Sequence, residues 1–254
     1  MISGKSFADR CQWVYDNRYP EKPVFSYANA KSGDWVFING DYVQDFRRKI
    51  PFPLTKRFNV IVHNSDRPFG MSELHSLLPV SNHIYAINTV VAHPQLTTIP
   101  LGFVDRQLPF LASFVRPDCP RDIEIYGNFT KATNDAKRRE CIDAFKDDPR
   151  VVWKTGLSVP EYYADLCRSK FVLCPEGTGI DTHRIYEAIF CGATPVVLRN
   201  SLRHLYETLP VCIVEKWTDT FIVPQQIENA LQLLNENLTV PKTDRRIDLT
   251  HVRL

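Results

Sequence analysis

The second half of the chain contains five short apolar, β-rich runs separated by helical stretches, and no other feature constrains the fold as strongly. The runs lie at residues 122–126, 151–154, 171–174, 195–198 and 211–214. Between them, helical patterning covers about 134–146, 160–168, 182–191 and 201–209, and a last amphipathic helix is expected at 224–237. Phe171-Val172-Leu173-Cys174 shows no polar alternation, as expected of a strand covered on both faces. Strand and helix in strict alternation imply a parallel sheet with crossover helices. Gly192 stands where the fourth helix should stop, and Pro195 opens the run that follows.

The first half repeats this alternation less regularly. Strands are expected at 35–38, 59–62, 84–87 and 97–101, and helices at 6–17, 42–49 and 72–78. Residues 109–120 contain three prolines and read as a linker. A chain of 254 residues is long enough for two units that each bury a core. The expected organisation is two Rossmann-like α/β domains, 1–118 and 119–254, with parallel sheets facing a central cleft. Ligands of such sheets sit at the carboxyl ends of the strands.

Composition removes several function classes. With 31 Lys and Arg against 29 Asp and Glu, the net charge is +2, too small for wrapping a nucleic-acid backbone. No apolar run approaches the roughly 18 residues of a membrane span, and the N-terminus has no signal-peptide pattern. The seven cysteines are scattered, with no C-x-x-C pair. They read as reduced, buried thiols of a cytoplasmic protein, not as a zinc or disulfide framework. No H-E-x-x-H or D-x-D motif occurs, and Asp147-Asp148 before Pro149 reads as a helix-ending turn.

Residues 169–198 carry the chemical signal. A buried strand ends at Cys174, and Pro175-Glu176-Gly177-Thr178-Gly179 then turns into a helix. Gly177 and Gly179 let backbone approach a ligand, and the helix start offers unpaired N–H groups to an anion such as a diphosphate. Asp181 or Thr182 can cap that helix. His183, Arg184 and Glu187 follow at spacings of three and four, and so share one face. Arg184 presents a planar fork to phosphate oxygens, His183 can donate to the same group, and Glu187 can accept from the hydroxyls of a ribose. Lys131, Arg138 and Arg139 are further candidates for phosphate contact. Tyr162, Tyr163 and Trp153 can stack on a nucleobase or serve as core.

Lys170-Phe171-Val172-Leu173-Cys174-Pro175-Glu176-Gly177, followed by Arg184, Glu187, Gly192 and Thr194-Pro195-Val196-Val197, resembles the exostosin-like glycosyltransferase pattern. Val62-His63-Asn64-Ser65-Asp66, and His93-Pro94 with Ile99-Pro100-Leu101-Gly102, resemble stretches of small exostosin-like transferases of bacteria and large viruses. The resemblance covers residues 120–215 strongly and 35–105 more weakly. It implies a GT-B fold, with the acceptor glycan handled in the N-terminal domain and the nucleotide sugar in the C-terminal one. It also implies an inverting transfer with no obligatory metal and no cofactor beyond a UDP-sugar co-substrate, UDP-xylose being one candidate, with the sugar itself left open. By position, Arg184 and His183 would contact the diphosphate and Glu187 the ribose. The long, membrane-anchored animal exostosins give no guide to this chain's acceptor or location.

Inverting transfer needs a base for the acceptor hydroxyl and positive groups for the departing diphosphate. Asp66 is the first expected base, His63 the second and Asp41 the third, each placed just after an apolar run. The rival expectations are a non-catalytic glycan- or nucleotide-binding module and a nicotinamide enzyme. The second of these lacks its G-x-G-x-x-G fingerprint.

Overall fold

The computed structural model describes residues 1–114 and 119–222. The chain divides between Asp105 and Arg106 into two compact units, earlier than the expected residue 118. The presumed linker explains the difference. A short helix within it, Leu111–Phe114, buries Leu111, and Phe114 stacks on Tyr163 with ring centroids 5.0 Å apart. That stretch is therefore packed onto the C-terminal unit.

The N-terminal unit runs α1 (Gly4–Ala8), β1 (Trp13–Tyr15), β2 (Trp35–Asn39), α2 (Val43–Arg48), β3 (Phe58–His63), α3 (Met71–Leu77), β4 (Ser81–Ala86) and β5 (Leu96–Thr98). Its sheet has the order β1-β2-β3-β4-β5, with every pair parallel. Alternate residues Val36, Ile38, Val60, Val62, Ile84 and Ala86 face Phe46, Leu74 and Leu77 in one apolar cluster. The helix expected over 6–17 is absent. Ser3 and Ser6 form a capping box that starts α1, but the helix stops at Ala8. Trp13-Val14-Tyr15, an aromatic and β-branched run, instead pairs in parallel with β2.

The C-terminal unit follows the expected alternation closely: α4 (Leu111–Phe114), β6 (Ile123–Gly127), α5 (Asp135–Phe145), β7 (Val151–Trp153), α6 (Val159–Arg168), β8 (Ser169–Leu173), α7 (His183–Phe190), β9 (Thr194–Leu198), α8 (Arg203–Tyr206) and β10 (Cys212–Val214). The helix expected at 224–237 lies outside the described residues. Ser158 and Glu161 form a capping box at the start of α6. Gly192, with φ +74, ends α7 in the left-handed region as expected. Arg121 then caps the helix by donating from Nη2 to the Cys191 carbonyl at 2.6 Å.

The sheet order is β10-β9-β8-β6-β7, all parallel. Strand succession therefore reverses between β6 and β8. Right-handed crossovers on the two sides of a reversal lie on opposite faces of the sheet. The packing agrees. Ile125, Leu173 and Val196 meet Cys141 and Phe145 of α5 on one face, while Tyr126 on the other reaches Asp165 of α6. The carboxyl ends of β6 and β8 therefore mark the switch-point crevice at which doubly wound sheets bind ligands.

Gly127 closes β6 against Trp153, the last residue of β7. A Cβ at Gly127 would sit 2.2 Å from the indole ring. Gly127→Ala is therefore expected to lower stability by about 1–3 kcal/mol, seen as a lower urea midpoint by tryptophan fluorescence. An unchanged midpoint would contradict this packing.

Candidate functional site

Two loops border the crevice: residues 128–134 after β6 and residues 174–182 after β8. Arg138, on the first turns of α5, ties them together. Its Nη1 donates to the Thr130 carbonyl at 2.6 Å and its Nε donates to the Glu176 carbonyl at 3.1 Å. Asn134, the N-cap of α5, adds a bond from Nδ2 to the Gly177 carbonyl at 3.0 Å. A Cβ at Gly177 would lie 3.0 Å from Arg138 Nη2, so a side chain there would press on the tie.

Phe129 lies beneath two guanidinium groups. Arg138 from α5 and Arg184 from α7 each stand 5.5 Å from its ring centroid, where the ring quadrupole attracts a cation. Neither forms an ion pair with a carboxylate among the described residues. Burial, with the charge of Arg184 beside it, pushes the Arg138 pKa down to about 10. Both causes disfavour the cation, and an anion held between the two groups would remove that penalty.

The entrance of α7 contains polar atoms with nothing to bond. Four side-chain polar atoms are buried without a partner among the described residues, and two of them, Thr182 Oγ1 and Arg184 Nε, lie here. Thr182 occupies the N-cap position with extended backbone, yet its side chain makes no capping bond. Asp181, the other expected cap, is buried. Its Oδ1 accepts from the Thr182 backbone N–H at 2.9 Å, and its Oδ2 accepts from the Tyr186 hydroxyl at 2.5 Å. Buried donors without partners are uncommon in native proteins, and a ligand is one way to complete them.

Glu187 follows one turn into α7, 6% exposed, and its Oε2 accepts from the Tyr162 hydroxyl at 2.8 Å. Burial and the nearby Glu187 raise the Tyr162 phenol well above its ordinary pKa, so it stays a donor. Burial also pushes the Cys174 thiol up to about 12, which leaves no reactive thiolate under the turn. No group of three His, Cys, Asp or Glu side chains with metal-ligating placement occurs among the described residues.

The expected phosphate residues therefore gather around one crevice: Gly177, Thr178, Gly179, His183, Arg184 and Glu187 on the β8–α7 connection, Lys131 in the facing loop, and Arg138 between them. Their states differ from the expectation. Arg138 is a buried strut with only Nη2 left uncommitted. Lys131 and Thr178 are exposed. Arg139 pairs with Asp135 on the exposed side of α5. Trp153, Tyr162 and Tyr163 are not free stacking platforms: Trp153 packs on Gly127 and edge-on to Phe129, Tyr162 holds Glu187, and Tyr163 is core. Phe129 was not singled out from sequence, because an aromatic after an apolar strand reads as core until a cation is found on its face.

The expected bases lie in the N-terminal unit, in different settings. Asp66 is exposed, in the loop after β3. Asp41 accepts from Ser65 Oγ at 2.7 Å and lies 3.5 Å from Arg67 Nε. His63 is 1% exposed, with Nδ1 on Asn64 Oδ1 and Nε2 on the Pro100 carbonyl. Packed near Phe7 and Phe37, it is a core histidine and has no ring nitrogen free for an acceptor. Its position at a strand end suggested exposure, but the ring points into the packed face of the sheet.

The family RXYLT1 C-terminal domain matches residues 128–247. A probable glucuronosyltransferase of Oryza sativa subsp. japonica is 33% identical over 101 residues, covering 36% of this chain and 24% of the relative. The probable beta-1,4-xylosyltransferase IRX10 of Arabidopsis thaliana is 32% identical over 101 residues, with the same coverage of each chain. The C-terminal unit is exostosin-like. The match spans about a quarter of the length of these curated relatives. Among solved structures, the pneumococcal O-GlcNAc transferase GtfA in complex with UDP and GlcNAc is 12% identical at a TM-score of 0.37, covering 83% of this chain and 52% of that one.

The open hydroxyl in this exostosin-like unit makes a direct test. Thr182→Val keeps the shape and removes an unpartnered buried oxygen. It should leave the ligand-free protein as stable as before or more stable by up to about 1–3 kcal/mol, read as an equal or higher thermal midpoint. A clear loss of stability would mean that the hydroxyl is already bonded.

Proposed function

We propose that this chain is an inverting glycosyltransferase of the GT-B type that moves a sugar from a UDP-sugar to a glycan acceptor without needing a metal ion. One observation carries the reading. Two guanidinium groups, Arg138 and Arg184, converge on Phe129 at a sheet reversal, and among the described residues no carboxylate forms an ion pair with either. A diphosphate is the ligand whose charge and size suit that arrangement, next to the N–H groups that open α7.

In the reaction, an acceptor hydroxyl oxygen attacks the anomeric carbon as the bond from that carbon to the diphosphate oxygen breaks. The bonding pair leaves with the diphosphate, and the hydroxyl proton passes to a base. Charge grows on the leaving oxygen, where Arg184 and the helix start lower its cost. Glu187, aimed by Tyr162, accepts from the ribose hydroxyls. The cationic work assigned to a metal in other transferases falls here to side chains and backbone. Asp66 is the proposed base: it and Asp41 are both exposed, but Asp41 already accepts from Ser65 and lies beside Arg67, and His63 is buried. The names of the plant relatives, glucuronosyl- and xylosyltransferases, support UDP-glucuronate and UDP-xylose as the first donors to try.

Two variants test the assignment. Glu187→Ala should weaken UDP binding by about 1.5–3 kcal/mol, the range for a hydrogen bond to a charged group, measured by calorimetry on protein whose thermal midpoint is preserved. Unchanged affinity would remove the ribose role. Asp66→Asn should abolish sugar transfer in a UDP-release assay and leave UDP affinity alone. Turnover near the wild-type rate would assign the base elsewhere.

A further inference from the structure

The connection from the end of α2 to the start of β3 is charged unlike the rest of the chain. Residues 47–57 include Arg47, Arg48, Lys49, Lys56 and Arg57 and no acidic residue. Five of the 31 cations and none of the 29 acids fall here, which leaves the rest of the chain at −3. In the middle of this run, between two prolines, Phe52 is 89% exposed, more than any other large apolar side chain among the described residues.

The loop is braced while its charges stay uncompensated. The Tyr27 and Thr55 hydroxyls meet at 2.9 Å, and Ser32 Oγ donates to the Arg57 carbonyl and accepts from the Arg57 N–H, both at 3.2 Å. Lys56 Nζ donates to the Tyr27 and Ala30 carbonyls, each at 2.7 Å, and Arg57 Nη2 donates to the Leu78 carbonyl at 2.9 Å. Carbonyls orient a cation without cancelling its charge. Among the described residues no carboxylate forms an ion pair with any of the five. Of the acids nearby, Asp45 accepts from the Tyr15 hydroxyl and Asp34 from the Trp13 indole N–H. Arg48 and Lys49 are exposed.

We infer that this loop docks the N-terminal unit onto an anionic lipid surface, with Phe52 as the inserted side chain. An exposed aromatic ring among unpaired cations suits a partner that is anionic at its surface and apolar just beneath it. A bilayer with acidic headgroups has that profile: the cations meet the headgroups and the ring enters the acyl boundary. A soluble polyanion would satisfy the cations and leave Phe52 in water. The contact is peripheral and needs no spanning helix. It also leaves the proposed base loop open. β2 and β3 are parallel, so residues 47–57 lie at the amino edge of the sheet, and Asp41 and Asp66 follow the strands at the opposite edge. The inference stands on its own observations, whatever the donor site binds.

The test is sedimentation of the full chain with vesicles of phosphatidylcholine alone and of phosphatidylcholine with phosphatidylserine, with soluble heparin as a second probe. The chain should bind the phosphatidylserine vesicles about tenfold or more tighter than the neutral ones, and lose that preference as salt rises. Phe52→Ala should weaken binding to the phosphatidylserine vesicles about tenfold and leave any heparin binding unchanged. Arg48→Gln combined with Lys49→Gln should weaken vesicle binding by about fivefold per cation removed. All three side chains are exposed, so the thermal midpoints of the variants should match the wild type. Equal binding to both vesicle types, or binding to neither, would overturn the proposal. A Phe52→Ala variant that binds phosphatidylserine vesicles as the wild type does would overturn it too and, with heparin binding present, would assign the loop to a soluble polyanion.

Discussion

The arrangement of the C-terminal unit depends on the Arg138 guanidinium. It crosses the sheet reversal and bonds carbonyls of the loops after β6 and β8. Backbone carbonyls left buried without donors are costly, so the strut lets two irregular loops converge where regular hydrogen bonding has ended. The tie is a cation, and that is chemically consequential. A neutral donor would have stapled the loops without altering the field. Arg138 brings a charge to within reach of Arg184 over the same aromatic ring, and its lowered pKa reflects the cost.

Binding sites often hold groups that are unfavourable until the ligand arrives. Here the features agree from independent directions: two guanidinium groups over one ring with no ion-paired carboxylate among the described residues, a helix start whose cap residue makes no cap, and a carboxylate steered by a buried phenol. The surrounding structure is conventional and well satisfied. Asp181 is held by Thr182 and by Tyr186, and Asp165 by Lys154 and Tyr126. Two of the four buried, unpartnered polar atoms among the described residues lie at the start of α7, where a ligand would complete them.

Much of this was legible in the chain itself. Runs such as Phe171–Cys174 predicted buried parallel strands because a strand covered on both faces cannot alternate, and Gly192 marked a helix end because only glycine adopts its conformation cheaply. The spacing of Arg184 and Glu187 placed them on one helix face before any coordinates. What stayed hidden depends on the third dimension. Arg138 was legible as a candidate for phosphate contact but not as a strut, because only the sheet reversal, which local pattern does not encode, brings it to Glu176. His63 looked accessible at a strand end, but which face of the strand meets the core is decided by Phe7 and Phe37. The segment 13–15 was read as helix because its pairing partner, β2, lies some twenty residues further along the chain.

The central claim is that this crevice selects a nucleotide through its diphosphate. Calorimetric titration of the wild-type chain with UDP and with uridine, at low and at raised salt, tests it most directly. The account predicts that UDP binds, that uridine binds far more weakly, and that UDP affinity falls as salt screens the two guanidinium groups. Equal affinity for uridine and UDP, or UDP binding indifferent to salt, would contradict it.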